Sequence, residues 1–339
     1  IRGTELSFCK LGAITGDGRI RREIRDFWKL IALVCMGITA LAYAFGVGLG
    51  TLFLQPIGRL EYGVTEVANR NFQVRLEAQN RDELGLVIEA FNRMAEGLED
   101  LELAKTVQET LLPGSPLAVG TWRIAGACQP AARVGGDYFD YFSLPGNKLG
   151  LVIGDVSGHG AGSAMVVSML KGIMMIPGLS WDPAVLLATM NGIFWKALHR
   201  KKIISLFVGV IDVENGIFTF SNAGHLDPFL VRNGTIRAVE SRGLVLGGRA
   251  KSQFQNASIQ ILPGDSLIFF TDGLPEATKP DGSQLGYEAV EAVLPSMIGP
   301  DPQTTGINIR TWHRTVIAPG PLADDITVMV LQAGGDRPL

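Results

Sequence analysis

From Leu30 to Leu54 the chain reads LIALVCMGITALAYAFGVGLGTLFL, without one charged residue. As a helix rising 1.5 Å per residue, this run covers roughly 37 Å, enough to cross a hydrocarbon core of about 30 Å. A soluble core helix rarely needs such a length without a polar face, and no small-residue cleavage site marks a leader. The run therefore predicts a transmembrane helix. Ala42, Gly46 and Gly50 recur every fourth residue and could bring two such helices close. Arg19, Arg21, Arg22, Arg25 and Lys29 precede the run, while only Arg59 and Arg70 follow soon after, so the local count places the N-terminus in the cytoplasm. The chemistry reached below needs the reverse orientation, which a span upstream of Ile1 would supply. A chain that begins at Ile1 reads as part of a longer product.

Beyond the juxtamembrane segment no basic run occurs, and 30 Lys and Arg stand against 33 Asp and Glu, a net charge of −3. Phosphate neutralisation needs clustered cations, so nucleic acid is excluded as the main partner. Cys9, Cys35 and Cys128 form no CxxC pair, and neither a disulfide framework nor a cysteine zinc site is written in the chain. With 42 glycines and only 19% charged residues, the composition describes a hydrophobic segment joined to a turn-rich soluble domain.

After the apolar run, Ile57, Leu60, Val64 and Val67 recur at spacings of three and four, as do Leu84, Val87, Phe91, Met94, Leu98 and Leu101. These are the seams of two coiled-coil helices, with Pro56 suited to the first turn of the first. Asn69 to Asn80 is polar, with Asn71 and Asn80 as breakers, so the two helices should pack in parallel, most simply as a four-helix bundle of two chains. The residues Pro56-Ile57, Arg59-Leu60, Arg75-Leu76, Asp82-Glu83-Leu84-Gly85 and Phe91-Asn92 with Met94 resemble a HAMP domain over residues 55–104. The resemblance implies a dimeric relay that passes rearrangement of a membrane helix to an output domain. Past Leu101 a strict heptad would place Lys105 and Gln108 in the seam, whereas the apolar residues fall at Ala104, Val107 and Leu111. The register slips here, which marks residues 98–112, ending in Leu111-Leu112-Pro113-Gly114, as a switching linker.

From residue 118 the pattern changes to short apolar runs bounded by glycine. Leu149–Ile153, Ser205–Val213, Ile217–Ser221, Ser266–Phe270 and Ile326–Leu331 predict strands, and Ala161–Ile176 and Pro183–Leu198 predict helices. Strands and helices in separated runs describe an α+β protein, here an α/β sandwich rather than a Rossmann fold. Aspartates stand where these strands meet glycine turns: Gly135-Gly136-Asp137, Gly154-Asp155, Thr271-Asp272-Gly273 and Asp324-Asp325-Ile326. Singly each is ordinary turn chemistry. Together they can converge at one sheet edge, where carboxylates repel unless cations neutralise them, and hard oxygen donors suit Mg²⁺ or Mn²⁺. Two such ions can activate a shared water for phosphate-ester hydrolysis. No GxxxxGK[ST] loop, GxSxG elbow or HExxH helix is present.

Several motifs run in order: Gln108 with Leu111-Leu112-Pro113; Val134-Gly135-Gly136-Asp137-Tyr138-Phe139-Asp140; and Gly154-Asp155-Val156-Ser157-Gly158-His159-Gly160. They continue with Asn222-Ala223-Gly224-His225, Gly243-Leu244-Val245-Leu246-Gly247, Thr271-Asp272-Gly273-Leu274 with Glu276-Ala277, and Asp324-Asp325-Ile326-Thr327. In this order they resemble the SpoIIE/RsbU-type branch of the metal-dependent (PPM) serine/threonine phosphatases over residues 105–333. The resemblance implies Asp137, Asp155, Asp272 and Asp324 as catalytic metal ligands, with the main-chain carbonyl of Val156 completing one shell of a two-ion Mn²⁺ or Mg²⁺ centre. Asp325 would support a ligand from behind. Asp140 is as readily a turn cap, His159 a residue of a glycine-rich helix start and His225 structural. The family's proline after that histidine is displaced to Pro228. Arg133 precedes the Gly-Gly-Asp turn and reads as solvated, and no phosphate-gripping arginine stands out.

The expected organisation is thus an N-terminal segment over 1–29, a single span over 30–54, a HAMP domain over 55–104, a linker over 105–117 and a phosphatase domain over 118–335. The resemblance implies a homodimer in a bacterial inner (cytoplasmic) membrane with its catalytic domain in the cytoplasm. It would hydrolyse phosphoserine or phosphothreonine, and its substrate would be a phosphorylated STAS-type anti-sigma-factor antagonist in a partner-switching pathway. Two rivals differ in class: a catalytically inactive signalling module that only binds its partner, and a phosphodiesterase or small-molecule phosphatase that cleaves nucleotides.

Overall fold

The computed structural model describes residues 17–78, 82–158, 160–199, 201–320 and 322–334; Asn80 and His159 lie outside them. Two compact units result, one up to Leu98 and one from Glu99 onward.

In the first unit α1 (Asp17–Leu49), a π-helical stretch (Gly50–Leu54) and α2 (Gln55–Ala68) run on as one helix. It is long and apolar enough to cross a membrane, and none of its most apolar stretch is covered by the rest of the chain. The sequence starts a new helix at Pro56; the structure instead continues through it. A proline cannot donate to the carbonyl four residues back, and just before Pro56 the helix widens to π geometry, with the Gln55 amide donating to the Gly50 carbonyl. The next helix, α3 (Glu83–Leu111), starts with Asp82 accepting from the Gly85 amide.

Leu76, Ile88, Phe91 and Ala95 form the small core of this unit, with Leu60, Val67 and Val74 packed on it. Ile57, Val64, Val87 and Met94 of the predicted seam remain exposed within one chain. Asn92 fastens the connector: its Oδ1 accepts from the Leu76 amide at 2.9 Å and its Nδ2 donates to the Leu76 carbonyl at 2.8 Å. Truncation to alanine orphans both groups, so Asn92→Ala should cost this unit about 1–3 kcal/mol. Calorimetry of the full chain checks this as a lowered transition for the first unit with the second unchanged.

The second unit is a four-layer α-β-β-α sandwich. One sheet takes the order β1 (Leu117–Val119), β2 (Trp122–Gln129), β11 (Ile326–Ala333), β10 (Ser266–Phe270), β7 (Phe229–Arg232) and β8 (Thr235–Ala238). The other is β3 (Asp137–Leu144), β4 (Lys148–Val156), β5 (Ile204–Asp212), β6 (Ile217–Ala223) and β9 (Ala257–Gln260). All pairings are antiparallel. Side chains alternate along each strand, so Leu151, Phe207, Phe269 and Met329 meet between the sheets. Phe207 stacks on Phe220 at 5.4 Å and meets Phe269 of the opposite sheet edge-on at 5.5 Å.

The outer faces are covered too. Helices α4 (Ala161–Met174) and α5 (Pro183–Leu198) contribute Val167, Leu170, Leu187 and Phe194 against Val152 and Val208, while α6 (Tyr287–Met297) and α7 (Pro302–Val316) pack Val290, Leu294 and Ile309 against Ile268 and Val328. Strands buried on both faces read as unbroken apolar runs, which is why β4, β5, β10 and β11 are visible in the sequence. Two helices open on aspartate caps followed by proline: Asp182 accepts from Val185 N at 3.0 Å and Asp301 from Thr304 N at 2.7 Å.

Candidate metal centre

The antiparallel register of β3 with β4 sets Asp137 directly opposite Asp155. Like charges in that relation repel, so the pairing needs compensation. For Asp137, which is buried, part of it comes from hydroxyls: Thr271 Oγ1 and Thr327 Oγ1 donate to its Oδ2 at 2.7 and 2.6 Å. Burial still pushes its carboxyl well above the usual range, against those two bonds and with the Asp155 and Asp325 charges adding to the rise.

At the end of β10 the turn Thr271-Asp272-Gly273 lies flat on the backbone of Asp324 and Asp325. A Cβ on Gly273 would collide with the Asp325 carbonyl, so only glycine lets these turns touch. Asp272 and Asp324 are thereby neighbours: burial raises the Asp272 pKa, and the Asp324 and Glu276 charges raise it further. Asp155 joins the two pairs. Burial first, then the charges of Asp272, Asp324 and Asp325, push it up to about 7.

Oxygens also converge at Gly136. The place a Cβ would take lies 2.6 Å from the Val156 carbonyl oxygen, 3.0 Å from that of Gly158 and 3.1 Å from Asp155 Oδ1. Among the described residues no three acidic, imidazole or thiol side chains stand in finished ligand geometry. The donor set is entirely hard oxygen, which fits Mg²⁺ or Mn²⁺ and not a soft metal. The depth is graded: Asp137 is buried, Asp155 and Asp272 half-buried and Asp324 exposed.

Asp325 stands behind this group. Its side chain is buried, with Oδ1 accepting from Ala131 N at 2.7 Å and Oδ2 from Gly136 N at 2.6 Å, so it braces the loop that delivers Asp137. Asp140 is not part of the cluster: its Oδ2 takes Lys171 Nζ at 2.6 Å and Tyr138 OH at 2.9 Å, pinning β3 to α4. Arg133 pairs with Glu102 at 2.8 Å.

His225 closes the Asn222-Ala223-Gly224-His225 turn, where Asn222 accepts from its amide at 2.8 Å and donates to its carbonyl at 2.9 Å. Its Nδ1 lies 2.9 Å from Ser205 Oγ, and burial pulls its pKa down to about 4, which keeps the ring neutral. A cleft of about 150 Å³ separates this turn from the carboxylates, lined by Asp155, Asp272, Ser157, Ser205 and His225 with the apolar Leu226 and Val245. Lys202, which no motif marks, donates from Nζ to the Ser157 carbonyl and to Ser163 Oγ, placing a cation on the turn after Asp155. The hydroxyls of Thr271 and Thr327 stood within the quoted motifs, but their target became visible only once β10 and β11 were paired.

The family described as Stage II sporulation protein E (SpoIIE) matches residues 145–334, and the HAMP domain family matches residues 48–100. The SpoIIE match includes Asp155, Asp272 and Asp324 and begins after Asp137. Phosphoserine phosphatase RsbU of Bacillus subtilis is 27% identical over 186 residues, 54% of this chain and 55% of the relative. Protein IcfG of Synechocystis is 26% identical over 311 residues, 78% of this chain and 49% of that protein. The chain spans about half the length of these curated relatives. The crystal structure of the RsbU and RsbW domains of Rv1364c from Mycobacterium tuberculosis has a TM-score of 0.57 at 27% identity, covering 67% of this chain and 64% of that one. With a family match over more than half its length and the sandwich formed around a carboxylate-lined edge, the chain belongs to the SpoIIE family and carries a HAMP domain ahead of that unit.

Proposed function

We propose that the chain is a membrane-anchored phosphoserine/phosphothreonine protein phosphatase in which Asp137, Asp155, Asp272 and Asp324, with the Val156 carbonyl, hold two Mn²⁺ or Mg²⁺ ions. The observation that carries this reading is the gathering of mutually repelling carboxylates at one edge of the sandwich beside a small cleft. When bound, the ions supply Lewis acidity and an activated water for phosphate-ester hydrolysis. The chain's own residues fix the donors: Thr271 and Thr327 orient Asp137, Asp325 braces the loop before it, and the Gly273 turn sets Asp272 against Asp324. The cleft offers Ser157 and Ser205 as hydrogen-bonding groups next to Asp155 and Asp272, on the scale of a phosphorylated side chain.

The substrate is a phosphorylated STAS-type anti-sigma-factor antagonist in a partner-switching pathway, a reading supported by the relative named phosphoserine phosphatase RsbU. The long apolar helix anchors the chain in a bacterial inner membrane with the second unit in the cytoplasm, where phosphoproteins are made. The exposed Ile57, Val64, Val87 and Met94 supply a seam for a second copy, making the protein a homodimer.

The test is phosphate release from a phosphorylated STAS protein by the full chain in detergent. Release with Mn²⁺, abolished by chelation and absent with nucleotides as substrate, is the expected result. Nucleotide cleavage without preference for the phosphoprotein would replace the reading with a small-molecule phosphatase, and no release under any metal would leave a binding module.

A further inference from the structure

Gln108 lies in the last turns of α3, where a heptad continued from Leu101 would demand an apolar seam residue. The residue is only 8% exposed. Both of its polar atoms are matched to a single residue: Nε2 donates to the Gly135 carbonyl at 2.9 Å, and Oε1 accepts from the Gly135 amide at 3.0 Å. The helix grips the same loop again through Glu102 and Arg133. From the other side the loop is gripped by Asp325, and a Cβ on Gly135 would run into that carboxylate. The loop is therefore one peptide thick between Gln108 and Asp325, and its next two residues are Gly136, whose carbonyl accepts from Val156 N at 3.1 Å, and Asp137.

We propose that Gln108 is a positioning residue for the centre: by holding both main-chain polar groups of Gly135 it sets the Gly136–Asp137 step, and through it the affinity with which the carboxylates take divalent metal. A buried glutamine in a seam slot costs desolvation unless both its groups are matched, and here they are matched by the loop and not by another helix. The seam slip at this point of α3 thus has a local cause. A helix that shifts along its axis pulls on both main-chain polar groups of Gly135 at once, because both bonds end on one side chain. The inference rests on the two-metal reading for its second half only.

The test uses the full chain in detergent as wild type, Gln108→Leu, Gln108→Glu and, as a control on the exposed side of the same helix, Glu109→Gln. Free Mn²⁺ is followed by paramagnetic resonance during titration, and hydrogen exchange is followed in the peptide 131–137. Gln108→Leu removes both bonds; Gln108→Glu keeps the shape and the acceptor but loses the donor, so one variant remains informative if the other does not fold. The expected result is Mn²⁺ affinity weakened roughly tenfold in both Gln108 variants, with faster exchange at 131–137 and no change in Glu109→Gln. Wild-type affinity in a folded Gln108→Leu variant overturns the proposal, even with faster exchange, because the contact would then only brace the loop. If the wild type takes no Mn²⁺, the two-metal reading falls by itself; unchanged exchange in the variants then overturns the loop-holding role too, and faster exchange upholds it.

Discussion

Asp155→Asn and Asp272→Asn in the full chain are each expected to lower Mn²⁺-dependent phosphate release about a hundredfold or more while raising the melting temperature of the metal-free protein. Asparagine keeps the shape of aspartate and removes its charge. Loss of a partner one step behind a metal ligand typically costs 10–100-fold in metal affinity or activity, so loss of the ligand's own charge sits at or beyond the upper end. The stability effect has the opposite sign because Asp155 faces Asp272, Asp324 and Asp325. Neutralising one member of a like-charge cluster relieves repulsion at neutral pH, and a gain of about 1 kcal/mol raises the melting point of a unit this size by roughly 2–4 °C. An inactive but stabilised variant identifies a residue selected for binding a cation. Asp140 supplies the contrast: its charge is matched by Lys171 and by Tyr138, so removing it breaks a buried pair and destabilises whether or not metal is present. Phosphate release, melting without metal and melting with Mn²⁺ together check the pattern. Loss of both activity and metal-free stability in Asp155→Asn would make that residue structural.

The parts of this fold that could be read from the sequence are those whose neighbours leave a periodic trace. β4, β5, β10 and β11 are covered on both faces, and their apolar runs need no partner to be recognised. β3 escaped because it opens on Asp137 and carries Asp140 in its interior, a polar pattern made tolerable by Lys171 of α4 and by two threonine hydroxyls from the other sheet. β2, WRIAGACQ, has its middle made of small residues, where Gly126 leaves room for the Phe139 ring, and α7 is too polar over PQTTGINIRTWHRTV to show an apolar stripe. In the first unit the seam is legible as a period, but the core within one chain is not: Ile88 and Ala95, outside that period, are buried beside Phe91, while Val87 and Met94 stay on the outside of the chain. The candidate centre was legible because each aspartate marks a strand end. Its supports were not, since Gln108, Lys202 and Thr327 find their partners only across long stretches of chain.

Stabilisation by Mn²⁺ should grow steeply with pH between about 5 and 7.5. Asp155 titrates at about 7 in the metal-free fold, against about 3.9 for an aspartate in an unfolded chain. Between those values the native state holds a proton that the unfolded state has released, so the stability this group lends is complete below about pH 4 and is lost as pH rises through 7. Asp137 and Asp272 are displaced in the same direction. His225, held down to about 4, and His313, also lowered by burial, act oppositely: the unfolded state takes up their protons first, so their contribution is complete above about pH 6.5 and falls as pH drops toward the folded value. The metal-free curve is therefore a contest between carboxylates and histidines, and its slope alone assigns nothing. Subtracting it from the curve with Mn²⁺ removes the histidines, which hold no metal in this arrangement, and leaves the carboxylates, whose protons the ion must displace. For each proton displaced, apparent affinity falls about tenfold per pH unit below 7. A Mn²⁺ concentration near one hundred times Kd at pH 7.5 gives about 2.7 kcal/mol, whereas affinity lowered a hundredfold at pH 5 leaves roughly 0.4 kcal/mol. In melting temperature that is a shift of roughly 5–11 °C shrinking to about 1 °C. Scanning calorimetry of the full chain in detergent at both pH values, with and without Mn²⁺, reads the difference directly. Equal shifts at pH 5 and 7.5 would mean that the ion binds groups already ionised at the lower pH, and Asp155 would lose its place in the centre.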